Sequence, residues 1–303
     1  MTLSVENIRS SLSDGLLSFP VTDFDQHNNF NADSFRKRIE AFIEHKVSAV
    51  FVAGGTGEFF SLSLDEYQQL VTIAVETVGG RVPVIASAGR SIPDAIAFAK
   101  VAEQAGCDGI LLMPPYLTEC PREGVVEYAR QVINSTPLQV IYYNRANGVL
   151  LAEDVKQLAA DCPNLIALKD GVGNIASLND TIKTVGDRLV YIGGVPTAEI
   201  FAEAYLSIGV NTYSSAVFNF MPEMANRFYT ALRSGDQQTV TDIIRSFFIP
   251  FCRLRDRKAG YGVSLIKAGA TLQGITAGDV RAPLTMPTLE EIDKLKAIID
   301  ANS

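Results

Sequence analysis

The stretch Leu165-Ile166-Ala167-Leu168-Lys169-Asp170-Gly171-Val172-Gly173 is the one from which the rest of the chain is most readily understood. Four apolar residues, one amine and a glycine-rich turn describe a strand buried on both faces that ends at a lysine. Burial makes an ammonium costly and lowers the lysine pKa. A neutral amine at such a place can attack a ketone and form a Schiff base. The plainer alternative is a lysine that snorkels to water from a strand end.

Seven further runs of the same kind surround this one, at 15–20, 49–53, 82–88, 109–113, 138–143, 189–193 and 210–214. Each is nearly continuous rather than alternating, as parallel strands covered on both faces require. Helical patterns lie between them. Ser63-Leu64-Asp65-Glu66 is a capping box leading into a helix over 67–78. Ser91-Ile92-Pro93-Asp94 starts another, and 196–206 and 222–232 read similarly, with Gly209 and Gly235 at their ends. Eight strand-then-helix units predict an α/β fold, a (β/α)8 TIM barrel. An open doubly wound sheet is the alternative; the count of eight favours closure, and no GxGxxG follows the first strand.

The barrel is expected to occupy residues 1–234 and to carry the active site. Residues 235–303 are expected to form a C-terminal helical region packed on it. Helices are predicted over 239–254, 261–272 and 289–301, with a loop over 273–287 that contains Pro283 and Pro287. Such a region can also contribute subunit contacts.

Composition narrows the functional classes. With 47% hydrophobic and 20% charged residues in 303, a large core is available. The net charge of -8 argues against nucleic-acid partners and means that any anion site must be built locally. No apolar run approaches a membrane span. Cys107, Cys120, Cys162 and Cys252 are scattered without zinc-like spacing, which points to a reducing compartment. No basic-then-apolar leader is evident at the N-terminus, and a cytoplasmic protein is expected. With only His27 and His45, a zinc site or a histidine-based triad is not expected. His45 falls in what reads as the last turn of a helix.

In TIM barrels the chemistry sits at the C-terminal ends of the strands. The second run ends in Gly54-Gly55-Thr56-Gly57-Glu58, whose backbone N–H groups and hydroxyl can hold a carboxylate; an ordinary tight turn is the alternative, and Glu58 can simply brace it. The fifth ends in Tyr142-Tyr143-Asn144-Arg145. A phenol at Tyr143 can relay protons to and from a carbinolamine, or close the barrel mouth as an aromatic. Arg145 can grip a carboxylate bidentately or stand in solvent. The seventh and eighth ends offer Gly194 and Ser215.

Taken in order, Gly55-Thr56-Gly57-Glu58, Tyr142-Tyr143-Asn144 and Leu168-Lys169-Asp170 resemble the dihydrodipicolinate synthase / N-acetylneuraminate lyase family of Schiff-base aldolases, through the whole barrel and into the helical tail. The resemblance implies a class I lyase with no metal and no dissociable cofactor, assembled as a homotetramer or homodimer. Lys169 matches its imine-forming lysine and Tyr143 its proton-shuttling tyrosine. Gly55 and Thr56 match the site for the carboxylate beside the substrate ketone.

Two departures narrow the choice. Gly55 stands where synthases usually carry a hydroxyl residue, and the run after Asn144 lacks the proline common in the family. The runs 142–145 and 169–173 look most like a branch that acts on a keto sugar diacid. The expected reaction is conversion of 5-dehydro-4-deoxyglucarate to 2,5-dioxopentanoate, water and CO2. Its distal carboxylate would be held by Arg145, or by polar groups of Gly194 and Ser215. The rival within the family is a retro-aldol lyase that releases pyruvate from a 2-keto-3-deoxy sugar acid. A non-catalytic ligand-binding barrel is the rival from outside it.

Overall fold

The computed structural model describes residues 3–117 and 119–303. Its centre is a closed parallel barrel of eight strands in chain order: β1 (Leu17–Ser18), β2 (Ala49–Val52), β3 (Val84–Ala88), β4 (Gly109–Leu112), β5 (Gln139–Asn144), β6 (Leu165–Asp170), β7 (Val190–Gly193) and β8 (Thr212–Ser215). The first strand is far shorter than the run 15–20 suggested, because only Leu17 and Ser18 pair with both β2 and β8. Phe19 continues past the paired segment, and its ring stacks on Phe51 inside the barrel, with centroids 4.7 Å apart.

Helix α1 (Val5–Ser13) precedes the barrel, and its Ile8 and Leu12 join the barrel-interior cluster with Leu17, Ala49, Ile85, Leu111 and Ala167. The outer layer is built from α2 (Ala32–Glu44), α3 (Leu64–Val78), α4 (Ile92–Ala105), α5 (Arg122–Asn134), α6 (Ala152–Asp161), α7 (Ile175–Val185), α8 (Ala202–Ser207) and α9 (Pro222–Ser234). The capping box at Ser63 forms with both of its bonds and starts α3 at Leu64, one turn earlier than 67. Gly235, at φ 77°, ends α9 in the left-handed conformation that glycine adopts without strain. The expected helix 196–206 is divided into a 3-10 turn, Ala198–Phe201, and the short α8.

The C-terminal region contains α10 (Gln237–Ile243), α11 (Ile249–Arg255), α12 (Tyr261–Leu272) and α13 (Leu289–Asp300). A π-helical turn, Ile244–Phe248, joins α10 to α11. Pro250 explains it: proline supplies no N–H and its ring crowds the preceding turn, so the helix widens there. Phe247 and Phe251 stack on this segment with planes 9° apart, and both rings meet Phe220 from the barrel's last loop. The helical tail is thereby part of the same apolar core as the barrel's outer layer. Its role in positioning the site is that α11 ends at the barrel mouth with Arg255.

One local irregularity sets the register of the site. Val140 pairs with Leu165, but Ile141 pairs with Ala167, so Ile166 is an extra residue in β6. This bulge reverses the inward–outward phase of the strand beyond it. Beyond the bulge Tyr143 is paired with Lys169. The bulged Ile166 carbonyl accepts a hydrogen bond from Arg9 Nη1 of α1 at 3.2 Å.

Candidate active site

The C-terminal mouth of the barrel opens into a cavity of about 750 Å³. Lys169 lies on its floor, only 3% exposed. Its Nζ donates to the Gly194 carbonyl at 3.0 Å, lies 3.9 Å from the centroid of the Tyr143 ring, and 5.2 Å from that of Phe19. Burial lowers the Lys169 pKa; the adjacent Tyr143 phenol opposes this, and the nearby Arg145 cation reinforces it. The amine is thereby kept closer to its neutral, nucleophilic form.

Tyr143 shares the Gly194 carbonyl, donating to it from Oη at 3.0 Å, and accepts from Arg145 Nη1 at 2.9 Å. Burial alone would raise its pKa, but the positive charges at Lys169 and Arg145, with hydrogen bonds from both, bring it below the ordinary tyrosine value. Amine and phenol are thus held side by side on one acceptor, which places the phenol within reach of a hydroxyl formed where the amine attacks.

Two glycines make room for this pair. A Cβ at Gly194 would stand 2.2 Å from Lys169 Nζ, and one at Gly171 would stand 2.6 Å from Tyr143 Cε2 and 2.8 Å from Arg145 Cβ. Asp170 braces the turn after β6: its carboxylate accepts from the N–H groups of Val172 and Gly173 and from Tyr205 Oη at 2.8 Å. On β5, Asn144 does the same for its own loop, accepting from Leu150 N at 2.7 Å.

Opposite the amine, Gly55 and Thr56 line the cavity. Among the described residues, nothing accepts from their N–H groups, while the turn is closed by Glu58 N and Phe59 N on the carbonyls of Gly55 and Gly54. Such paired free donors suit a carboxylate. Glu58 braces this turn from behind and is fully buried. Its Oε1 is 2.7 Å from Lys267 Nζ on α12, and its Oε2 accepts from the N–H of Arg281 at 2.9 Å. The turn after β2 is therefore held by the C-terminal region.

The structure brings Lys169, Tyr143, Gly55, Thr56, Arg145 and Gly194 to one cavity. Three expectations change in detail. Gly194 presents its carbonyl to Lys169 and Tyr143. Arg145 engages the Tyr143 phenol, leaving less of its guanidinium for a substrate carboxylate. Ser215 is not at the cavity: it is fully buried, and its Oγ donates to Glu199 Oε1 at 2.6 Å. Its neighbour Ser214 lines the cavity instead, because adjacent residues of a strand face opposite sides.

Sequence reasoning missed a second layer here. Glu199 is wholly buried, and burial pushes its pKa up to about 7, against the Ser215 hydrogen bond and the Arg255 charge that lower it. It also missed Arg255 and Lys258, which reach the cavity from a distant part of the chain. Among the described residues, no group of three or more histidine, cysteine, aspartate or glutamate side chains could hold a metal ion, and no helix is long and apolar enough to cross a membrane. Cys107, Cys120, Cys162 and Cys252 are all free.

Known proteins resemble the chain throughout its length. It is 51% identical over 300 residues, 99% of both chains, to a probable 5-dehydro-4-deoxyglucarate dehydratase of Rhizobium meliloti. It is 48% identical over 297 residues, 98% of both chains, to a 5-dehydro-4-deoxyglucarate dehydratase of Pseudomonas putida. The fold matches dihydrodipicolinate synthase from Oceanobacillus iheyensis with a TM-score of 0.89 at 24% identity, over 97% of this chain and 98% of that one. It also matches an E. coli prophage protein of the dihydrodipicolinic acid synthase family, solved in complex with pyruvate, with a TM-score of 0.85 at 25% identity, over 94% and 97%. Residues 12–302 fit the pattern of one family from end to end, and the chain belongs to the dihydrodipicolinate synthetase family.

Proposed function

We infer that the protein is a decarboxylating hydro-lyase that converts 5-dehydro-4-deoxyglucarate to 2,5-dioxopentanoate, water and CO2. The observation that carries this reading is the 51% identity, over 99% of both chains, to a probable dehydratase of that substrate. The buried amine and its tyrosine supply the means.

In the proposed mechanism Lys169 Nζ attacks the ketone carbon, and Tyr143 passes a proton to the carbinolamine hydroxyl, which leaves as water. The resulting iminium acidifies the neighbouring methylene. Loss of one methylene proton and of the β-hydroxyl as water gives a conjugated imine. A proton shift from the remaining hydroxyl-bearing carbon then creates a keto group beside the distal carboxylate. Next the bond between the imine carbon and the proximal carboxylate breaks. CO2 departs, and the electron pair stays on the former imine carbon beside the positive nitrogen. Protonation of that carbon and hydrolysis release the aldehyde and the free lysine. The N–H groups of Gly55 and Thr56 hold the proximal carboxylate until it leaves. An assembly of identical subunits and a reducing, cytoplasmic setting fit this reading, the latter with the free thiols.

Product analysis tests it. Purified protein given 5-dehydro-4-deoxyglucarate is expected to release one CO2 per turnover with 2,5-dioxopentanoate. Pyruvate as the product would instead establish the retro-aldol reaction.

A further inference from the structure

The substrate inferred above carries a carboxylate at each end, and only the end beside the ketone has been given a site. Four basic residues line the cavity, Arg145, Lys169, Arg255 and Lys258, against one acidic residue, Asp256. This local excess of positive charge stands out in a chain of net charge -8. Lys169 is the proposed nucleophile, and Arg145 is held beside it, at the ketone end of the substrate, by its bond to the Tyr143 phenol. Two cations remain, and both come from the C-terminal region.

Arg255 is the last residue of α11, and its side chain is only 17% exposed. Its Nη1 donates to the Pro196 carbonyl at 3.0 Å and to Thr197 Oγ1 at 2.5 Å, and its Nε donates to Asp256 Oδ1 at 2.7 Å. These bonds fix the guanidinium against the loop after β7, and among the described residues Nη2 has no acceptor. A guanidinium immobilised before the ligand arrives loses little entropy on binding. Asp256 offsets part of its charge. The exposed Lys258, two residues further on, pairs with no carboxylate among the described residues and restores the excess. On the facing side, Gly55 and Thr56 take the proximal carboxylate.

We propose that Arg255 and Lys258 form the distal-carboxylate subsite, so that the helical tail makes the barrel selective for 2-oxo diacids over 2-oxo monoacids. This rests on the diacid reading above. Arg255 Nη2 takes one carboxylate oxygen by a charge-assisted hydrogen bond, and Lys258 supplies a second positive charge from the rim.

The test uses two probes that form an imine but have no hydroxyl to lose: 2-oxoadipate, and 2-oxohexanoate of the same chain length. Each is titrated against the full-length protein with borohydride, and the reduced adduct is counted by intact mass. A single charge-assisted contact corresponds to roughly a tenfold to hundredfold preference. Wild-type protein is expected to half-saturate with 2-oxoadipate at a concentration at least tenfold lower than with 2-oxohexanoate. Arg255→Met is expected to lose most of that preference and Lys258→Met part of it, with trapping of the monoacid unchanged. Arg255→Lys is expected to retain more of it than the methionine variant. Retained preference in both methionine variants overturns the subsite. So does an equal loss for both acids in Arg255→Met when Lys258→Met has no effect, since that marks a purely structural arginine. Failure of the wild type to trap either acid overturns the Schiff-base reading itself, and the subsite with it.

Discussion

Tyr143 and Lys169 are register partners on adjacent strands only because Ile166 is an extra residue in β6. Without that bulge the pairing of Val140 with Leu165 would continue, Tyr143 would face Leu168, and Lys169 would point away from the barrel interior. The two side chains then meet over the single carbonyl of Gly194. If the phenol relays protons and the amine forms the imine, their removal has different signatures. Tyr143→Phe is expected to form the borohydride-trapped adduct more slowly without abolishing it, while kcat falls by roughly a hundredfold or more. Lys169→Met is expected to abolish the adduct. An unchanged kcat in the phenylalanine variant would remove Tyr143 from the chemistry.

The bulge has its own anchor. Arg9 donates to the Ile166 carbonyl and also to the carbonyls of Arg188 and Asp187. Arg9→Met leaves the two part-buried acceptors, the carbonyls of Ile166 and Arg188, unsatisfied, for an expected loss of about 1–3 kcal/mol of stability by denaturant titration. Because the register of Lys169 depends on the bulge, kcat is expected to fall with stability, although Arg9 lies at the opposite end of the barrel. A stability loss with full kcat would show that the bulge holds without its anchor.

Gly194 admits no side chain. Its substitution by alanine places a methyl carbon 2.2 Å from where Lys169 Nζ lies, so the amine must move. Gly194→Ala is expected to retain the far-ultraviolet circular dichroism of the wild type while adduct formation with 2-oxo acids drops at least tenfold. Normal trapping would mean that the amine's present position is not needed for attack.

The pH dependence of imine formation follows from the charges around the amine. Burial and the Arg145 cation both lower the Lys169 pKa, and Arg145 also lowers that of Tyr143. The neutral amine therefore becomes available at lower pH than in an ordinary lysine, and the trapping rate rises as pH rises through the lowered pKa. Removing the cation as Arg145→Met lets the Lys169 pKa climb back. The rising limb of the pH–rate profile is expected to move to higher pH. A limb that stays in place would mean that Arg145 does not act on the amine.

Glu199 predicts a different pH effect, on stability. Its pKa is raised from 4.5 to about 7, chiefly by burial. Below pH 4.5 the group is neutral both folded and unfolded. Between there and about pH 7 it ionises more readily when unfolded, so stability falls as pH rises, by about 3 kcal/mol in all. Glu199→Gln keeps an acceptor for Ser215 and carries no charge. It is expected to match the wild type near pH 4 and to exceed it in urea unfolding at pH 8.5. Equal stability at both pH values would show that Glu199 is ionised at little cost.

The barrel was legible in the sequence because a parallel strand buried on both faces leaves a nearly continuous apolar run, and eight such runs admit few topologies. Lys169 and Tyr143 stood out because a polar group at the end of such a run is costly to bury without a use. The same continuity concealed which way each residue faces. The run at 210–214 has no regular alternation from which to read side-chain direction, and the cavity receives Ser214 where Ser215 is expected. The bulge at Ile166 left no composition signal either, since the extra residue is as apolar as those around it. Arg255, Lys258 and Lys267 were out of reach for another reason. Their contacts join segments far apart in the chain, and helical periodicity at 239–254 describes a face without saying what that face meets.

The buried pairing of Glu58 with Lys267 has a consequence for how the molecule comes into being. The ribosome delivers the turn after β2 early, but the lysine that neutralises its brace arrives more than two hundred residues later, and the N–H of Arg281 later still. A nascent chain that has emerged only through β8 can close its sheet while Glu58 still lacks its partner. Closing the turn over a carboxylate without its partners is costly, and the turn is expected to stay open until they arrive. The catalytic mouth is therefore expected to be finished last, on release of the full chain, so that an incomplete translation product carries the lysine without a working site around it.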